Sequence, residues 1–133
     1  MKLLTKNSDY AIRALAALAM NKDDFLSSKE IAKRQAIPHP FLRRILQDLM
    51  GRDLVVSREG GGGGFKINAD PKRINIVDVI RIFQGNLQFS ECLFRKKLCL
   101  KRSTCVLRKE IKRVEKIVEK EFKRITISRL LKK

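Results

Sequence analysis

A chain of 133 residues makes one domain and has no room for a second full core. With 44% hydrophobic and 34% charged residues it can bury that core, which excludes a chain disordered by composition. Lys and Arg number 31 against 14 Asp and Glu, a net charge of +17 that selects polyanionic partners over neutral ones.

Met1-Lys2-Leu3-Leu4-Thr5-Lys6-Asn7 turns polar too early for a secretion signal. The longest apolar run, Ala14–Met20, is far shorter than the roughly 18 residues a membrane helix needs, so a cytoplasmic protein without membrane contact is expected. Asp9 to Met20 reads as a buried helix, with Tyr10, Ile12, Ala14, Leu15, Ala17, Leu18 and Ala19 leaving little polar face, and Ser8 as its N-cap. Ser27-Ser28-Lys29-Glu30 is a capping box that opens a short helix over about 28–35, burying Ile31 and Ala32. Ala36-Ile37 turns the chain into a further helix. It begins at His39-Pro40, repeats Phe41, Leu42, Ile45, Leu46, Leu49 and Met50 on its inner face, and stops at Gly51.

After Gly51 the period changes from helical to alternating. Leu54-Val55-Val56-Ser57 and Phe65-Lys66-Ile67 are two short strands around the run Gly60–Gly64, a hairpin closed by Pro71. Residues 74–83 form another helix through Ile76, Val79, Ile80 and Phe83. Residues 84–102 read as a loop, and Ser103 or Thr104 caps a long helix to about Arg124. Its apolar seam is Leu107, Ile111, Val114, Val118, Phe122 and Ile125, with Lys109, Lys112, Arg113, Lys116 and Lys120 outside it.

The order is that of a mostly α protein: a winged helix-turn-helix with a β-hairpin wing and a long C-terminal dimerisation helix. Residues 1–83 form the DNA-binding domain, 84–104 a cysteine-containing loop, and 105–133 the dimerisation helix and tail. In such a motif the second helix enters the major groove. His39, Pro40, Arg43, Arg44 and Gln47 lie outside its apolar face. Arg pairs with guanine and Gln with adenine, while Ser28, Lys29, Lys33 and Arg34 of the preceding helix suit phosphates.

The glycine run is no phosphate loop, because no Gly-Lys-Ser or Gly-Lys-Thr follows and it sits between strands. In a wing, Gly62 and Gly63 let the backbone approach the sugar–phosphate wall, and Arg58 supplies a minor-groove cation. The long seam needs a partner, most economically a second copy, and two copies imply a palindromic operator on double-stranded DNA.

The charge is uneven. Residues 95–133 hold 16 basic and 4 acidic side chains, leaving 15 and 10 for the rest. Three cysteines, Cys92, Cys99 and Cys105, follow the spacing C-x6-C-x5-C, an odd number that argues against a disulfide framework. Arg95, Lys96, Lys97, Lys101 and Arg102 around them favour thiolates. Three thiolates suit an iron–sulfur cluster, of the 2Fe-2S or 4Fe-4S type, with a fourth ligand from elsewhere. The same thiols also fit a cluster-free regulator, controlled by thiol oxidation or by a partner protein. With His39 the single histidine, serine–histidine–acid catalysis has little to rest on, and a binding protein is expected rather than an enzyme.

The chain resembles the IscR/NsrR-type (Rrf) family of bacterial iron–sulfur transcription regulators over essentially its whole length. The resemblance is carried by Leu3-Leu4-Thr5 through Leu15, Ser28-Lys29-Glu30-Ile31-Ala32, Ile37 to Leu42, Gly62-Gly63-Gly64-Phe65, Ile76-Val77-Asp78-Val79-Ile80 and the three cysteines. It implies a homodimeric DNA-binding regulator, usually a repressor, whose cluster state sets operator affinity in response to iron or cluster supply, nitric oxide or redox state. Where some members carry a histidine three residues after the last cysteine, this chain has Arg108. The nitric-oxide-sensing type uses an acidic residue of the opening helix of the other subunit, a pattern matched by Asp9 as fourth ligand. The wing differs too, with Glu59 between Arg58 and the first glycine.

Overall fold

The computed structural model describes residues 3–87 and 106–131. They form six helices and one antiparallel hairpin: α1 (Lys6–Met20), α2 (Ser28–Gln35), α3 (His39–Gly51), β1 (Val55–Arg58), β2 (Gly64–Ile67), α4 (Ile76–Gln84), α5 (Val106–Lys123) and α6 (Ile127–Leu130). The expected winged helix-turn-helix is the observed architecture. No helix among the described residues is long and apolar enough to cross a membrane.

Helix α1 is the hub. Its buried face is built from Ala11, Ala14, Leu15, Ala17 and Leu18, and small side chains let α2, α3, α4, α6 and β2 all pack against it. The helix starts one turn earlier than its apolar pattern, because Lys6 and Asn7 occupy an exposed, polar first turn. Thr5, not Ser8, is therefore the N-cap: Thr5 Oγ1 accepts from the Ser8 amide at 3.3 Å. Ser8 is instead buried, and its hydroxyl donates to Gln84 Oε1 at 2.8 Å. The same Gln84 oxygen accepts from the Thr5 amide at 2.9 Å, which ties the end of α4 to the start of α1.

Ser27 caps α2 by accepting from the Glu30 amide at 3.1 Å. Only half of the expected capping box forms, because the Glu30 carboxylate accepts from Arg34 Nε at 3.0 Å. Ala36 takes the left-handed conformation (φ 52°), and Ile37 N–H returns to the Ala32 carbonyl at 3.0 Å, which sharpens the turn into α3. Helix α3 buries Leu42, Ile45, Leu46 and Leu49. Phe41 departs from the expected inner face: it is 55% exposed. At 100° per residue it lies about 90° from the middle of the buried stripe.

The hairpin pairs Val55 with Ile67 and Arg58 with Gly64. Leu26 adds a third short rung, exchanging two 2.8 Å bonds with Phe65. Gly64 makes this approach possible: it has φ 140°, and a Cβ there would lie 2.5 Å from the Leu26 carbonyl oxygen. Asn75 and Asp78 close a full capping box on α4.

Helix α5 has no fully buried residue. The Arg81–Glu119 ion pair and the bond from Ile76 N–H to the Ile125 carbonyl set it antiparallel to α4, so its first turns extend past the end of α4. Its expected cap, Ser103 or Thr104, lies outside the described residues, as does most of the expected loop. The sequence pattern gave no sign of α6. Thr126 caps it, Ile127 N–H donates to the Ile74 carbonyl at 2.8 Å, and the Ile127 side chain is buried in the main core.

Candidate nucleic-acid interface

Helices α2 and α3 are joined at their N-termini. Ser28 Oγ and His39 Nε2 lie 2.8 Å apart, and His39 is half-buried. Both residues are thus occupied with each other at the entrance to α3. Beyond them α3 presents Pro40, Phe41, Arg43, Arg44 and Gln47 to solvent, opposite the face that packs on α1. No ion pair among the described residues engages Arg43 or Arg44. Asp48 is the single carboxylate on the helix.

On α2, Lys29 and Lys33 are exposed, while Arg34 is held by Glu30 at 3.0 Å. The two helices therefore expose free cations on adjoining faces, and the base-reading types stand on α3. This arrangement can meet a duplex with α3 in the major groove and α2 over the backbone.

At the wing, Gly62 (φ 76°) is exposed and Gly63 is half-buried. A Cβ on Gly63 would fall 2.2 Å from the Arg58 carbonyl oxygen. The Arg58 side chain donates to the Gly62 carbonyl at 3.0 Å and lies 4.2 Å over the Phe25 ring. The sequence pattern did not single out Phe25 or Lys66 as site residues, and it placed Phe41 inward. The signal for the first was the apolar pair Phe25-Leu26 between Asp24 and the Ser27 cap, too short to register as a strand.

Cys92, Cys99 and Cys105 lie outside the described residues. Asp9 stands on the first turn of α1 with its side chain 50% exposed, and its Oδ2 accepts from Arg13 at 3.0 Å. Arg13 also donates to the Gln35 carbonyl at 2.8 Å and lies 5.1 Å from the Tyr10 ring centroid. Asp9 is thereby linked through Arg13 to the C-terminal end of α2. Among the described residues, no cluster of three or more His, Cys, Asp or Glu side chains is placed to hold a metal ion.

The expected dimerisation seam divides in two. Ile111, Val118, Phe122 and Ile125 are half-buried. Leu107 and Val114 are exposed at 68% and 38%, and with Val106 and Ile117 they form an apolar strip without cover among the described residues.

The Rrf2 model, described as an iron-dependent transcriptional regulator, matches residues 4–133. An HTH-type transcriptional regulator of Aquifex aeolicus is 33% identical over 124 residues, covering 92% of this chain and 86% of that one. The HTH-type transcriptional regulator NsrR of Bacillus subtilis is 33% identical over 107 residues, 79% of this chain and 73% of the relative. The structure of T. potens IscR superposes with a TM-score of 0.74 at 26% identity, covering 98% of this chain and 86% of that one.

Proposed function

Because the chain belongs to the Rrf2 family of DNA-binding transcriptional regulators and not to a family of enzymes, we propose that it acts in the cytoplasm as a homodimeric repressor of a palindromic operator. In this reading an iron–sulfur cluster held by Cys92, Cys99, Cys105 and Asp9 sets operator affinity. The observation that carries the DNA-reading part is the outer face of α3, where Arg43, Arg44 and Gln47 are exposed and free of ion pairs among the described residues, opposite the face that buries Leu42, Ile45, Leu46 and Leu49. Residues 1–83 read DNA, 84–104 carry the sensing loop, and 105–133 make the dimer.

The donor set fits the cofactor. Cysteine thiolates are the usual anchors of such a cluster, three of a set of four would come from Cys92, Cys99 and Cys105, and Asp9 keeps Oδ1 without a bond among the described residues while Oδ2 serves Arg13. When bound, the cluster supplies a centre reactive toward redox change and nitric oxide. The rest is the chain's own work. Asp9 positions Arg13, Arg13 holds the Gln35 carbonyl, and Gln35 ends the helix that precedes the reading helix. A ligand that draws on the Asp9 carboxylate therefore acts on the turn between α2 and α3. Coupling of about 1–3 kcal/mol, or about 5- to 150-fold in affinity, is the ordinary scale for such a link.

The test starts with an operator selected by the protein from a random duplex library. Anaerobically isolated protein, cluster-loaded and stripped, is then titrated onto it at matched salt. A difference of at least about fivefold supports the reading. Equal affinities would end it and leave a regulator controlled by thiol oxidation or by a partner protein. Asp9→Ala should change the cluster's absorption spectrum without changing the far-UV circular dichroism.

A further inference from the structure

Phe25 lies half-buried between α1 and α2 and carries two cations on one ring. The Arg58 guanidinium carbon is 4.2 Å from the ring centroid and Lys66 Nζ is 5.6 Å from it. The hairpin explains the convergence. Val56 pairs with Lys66 and Arg58 follows two residues after Val56, so Arg58 and Lys66 project from the same face of the sheet. The rung between Leu26 and Phe65 brings Phe25 alongside that face.

Neither cation has a carboxylate partner among the described residues. Like charges held on one ring repel, and the ring's negative face offsets that repulsion only in part. The arrangement lacks an anion. Arg58 is also restrained: its bond to the Gly62 carbonyl and its stacking on Phe25 keep the guanidinium back along the wing instead of free beyond the tip. A cation held in that way meets the backbone of a duplex before it can meet the floor of a groove.

We propose that Phe25, Arg58 and Lys66 form a phosphate grip at the base of the wing, which takes the sugar–phosphate backbone of duplex DNA without regard to base sequence. Phe25 is the positioning residue that holds both cations. The grip rests on the DNA-binding reading of α3 but not on any cofactor, and it assigns Arg58 to phosphate instead of the minor groove.

Full-length protein is titrated by fluorescence anisotropy onto a mixed-sequence duplex of about 30 base pairs over a range of NaCl concentrations. Every phosphate that the protein no longer neutralises should flatten the slope of log K against log salt by about 0.9, so Arg58→Ala and Lys66→Ala together flatten it by about 1.8. Phe25→Leu should weaken binding about two- to fivefold, with Phe25→Trp restoring it. On the selected operator, replacing guanine by inosine beneath the wing, which removes the minor-groove amino group, should leave wild-type affinity unchanged.

An unaltered slope in the double variant would overturn the grip, as would an inosine effect that disappears with Arg58→Ala. Should Phe25→Leu fail to fold, the double variant decides alone, since Arg58 is exposed and Lys66 only half-buried. Wild-type protein that binds no duplex would sink the DNA-binding reading itself, whereas wild-type binding with unchanged slopes sinks only the grip.

Discussion

Gly64 occupies a position that other residues cannot fill without strain. Its φ of 140° and the 2.5 Å separation between a built Cβ and the Leu26 carbonyl oxygen are independent obstacles. Gly64→Ala should therefore destabilise the protein by about 1–3 kcal/mol, read as a lowered urea midpoint at unchanged m-value. A loss below about 0.5 kcal/mol would mean that the Leu26–Phe65 rung yields freely. The glycine run identifies a wing from sequence, but not which glycine matters, because the obstacle belongs to a segment far away in the chain. Phe41 escapes the helical pattern for a related reason. A period places a residue relative to its own helix axis, but does not say where the covering elements end.

At the level of elements, the helices with strong periodicity and the hairpin were legible, and their ends less so. The polar turn Lys6-Asn7 hid the true start of α1, and Thr5 rather than Ser8 satisfies its first amides. The four-residue α6 was invisible, since a single turn has no period to detect. Yet it fills the core. Ile127 is fully buried against the main cluster, and Thr126 pairs with Asn75 at the entrance to α4. Ile127→Ala should cost about 2–5 kcal/mol and Ile127→Val about 0.5–1.5, checked by chemical denaturation. If Ile127→Ala unfolds at the wild-type midpoint, α6 is an ornament on the core and not a part of it.

For the whole molecule, the distribution of apolar surface bears on the proposed dimer. Val106, Leu107, Val114 and Ile117 are exposed on a helix that otherwise bristles with Lys and Arg. The sequence pattern marks the seam but cannot divide it between a partner and the chain's own α4, because both covers demand the same spacing. Leu107→Lys combined with Ile117→Lys should convert a dimer to a monomer in sedimentation velocity, with the far-UV spectrum retained. A dimer that survives both changes would move the interface elsewhere. The cysteine spacing suggests ligand chemistry on residues outside the described ones, whereas the tie from Asp9 through Arg13 to Gln35 was not legible, because it exists only once α1 and α2 pack together.

The bonds of Gln84 to Thr5 and Ser8 have one more consequence. They fasten the end of α4, which precedes the cysteine-bearing span, to α1, and α5, which follows that span, packs on α4. Much of the entropy of bringing the ends of that span within reach of each other is lost already during folding. A metal centre held by Cys92, Cys99 and Cys105, as proposed, would form on a span whose flanking residues already belong to the folded chain. A synthetic peptide carrying the same three thiols should hold iron far more weakly than the intact chain.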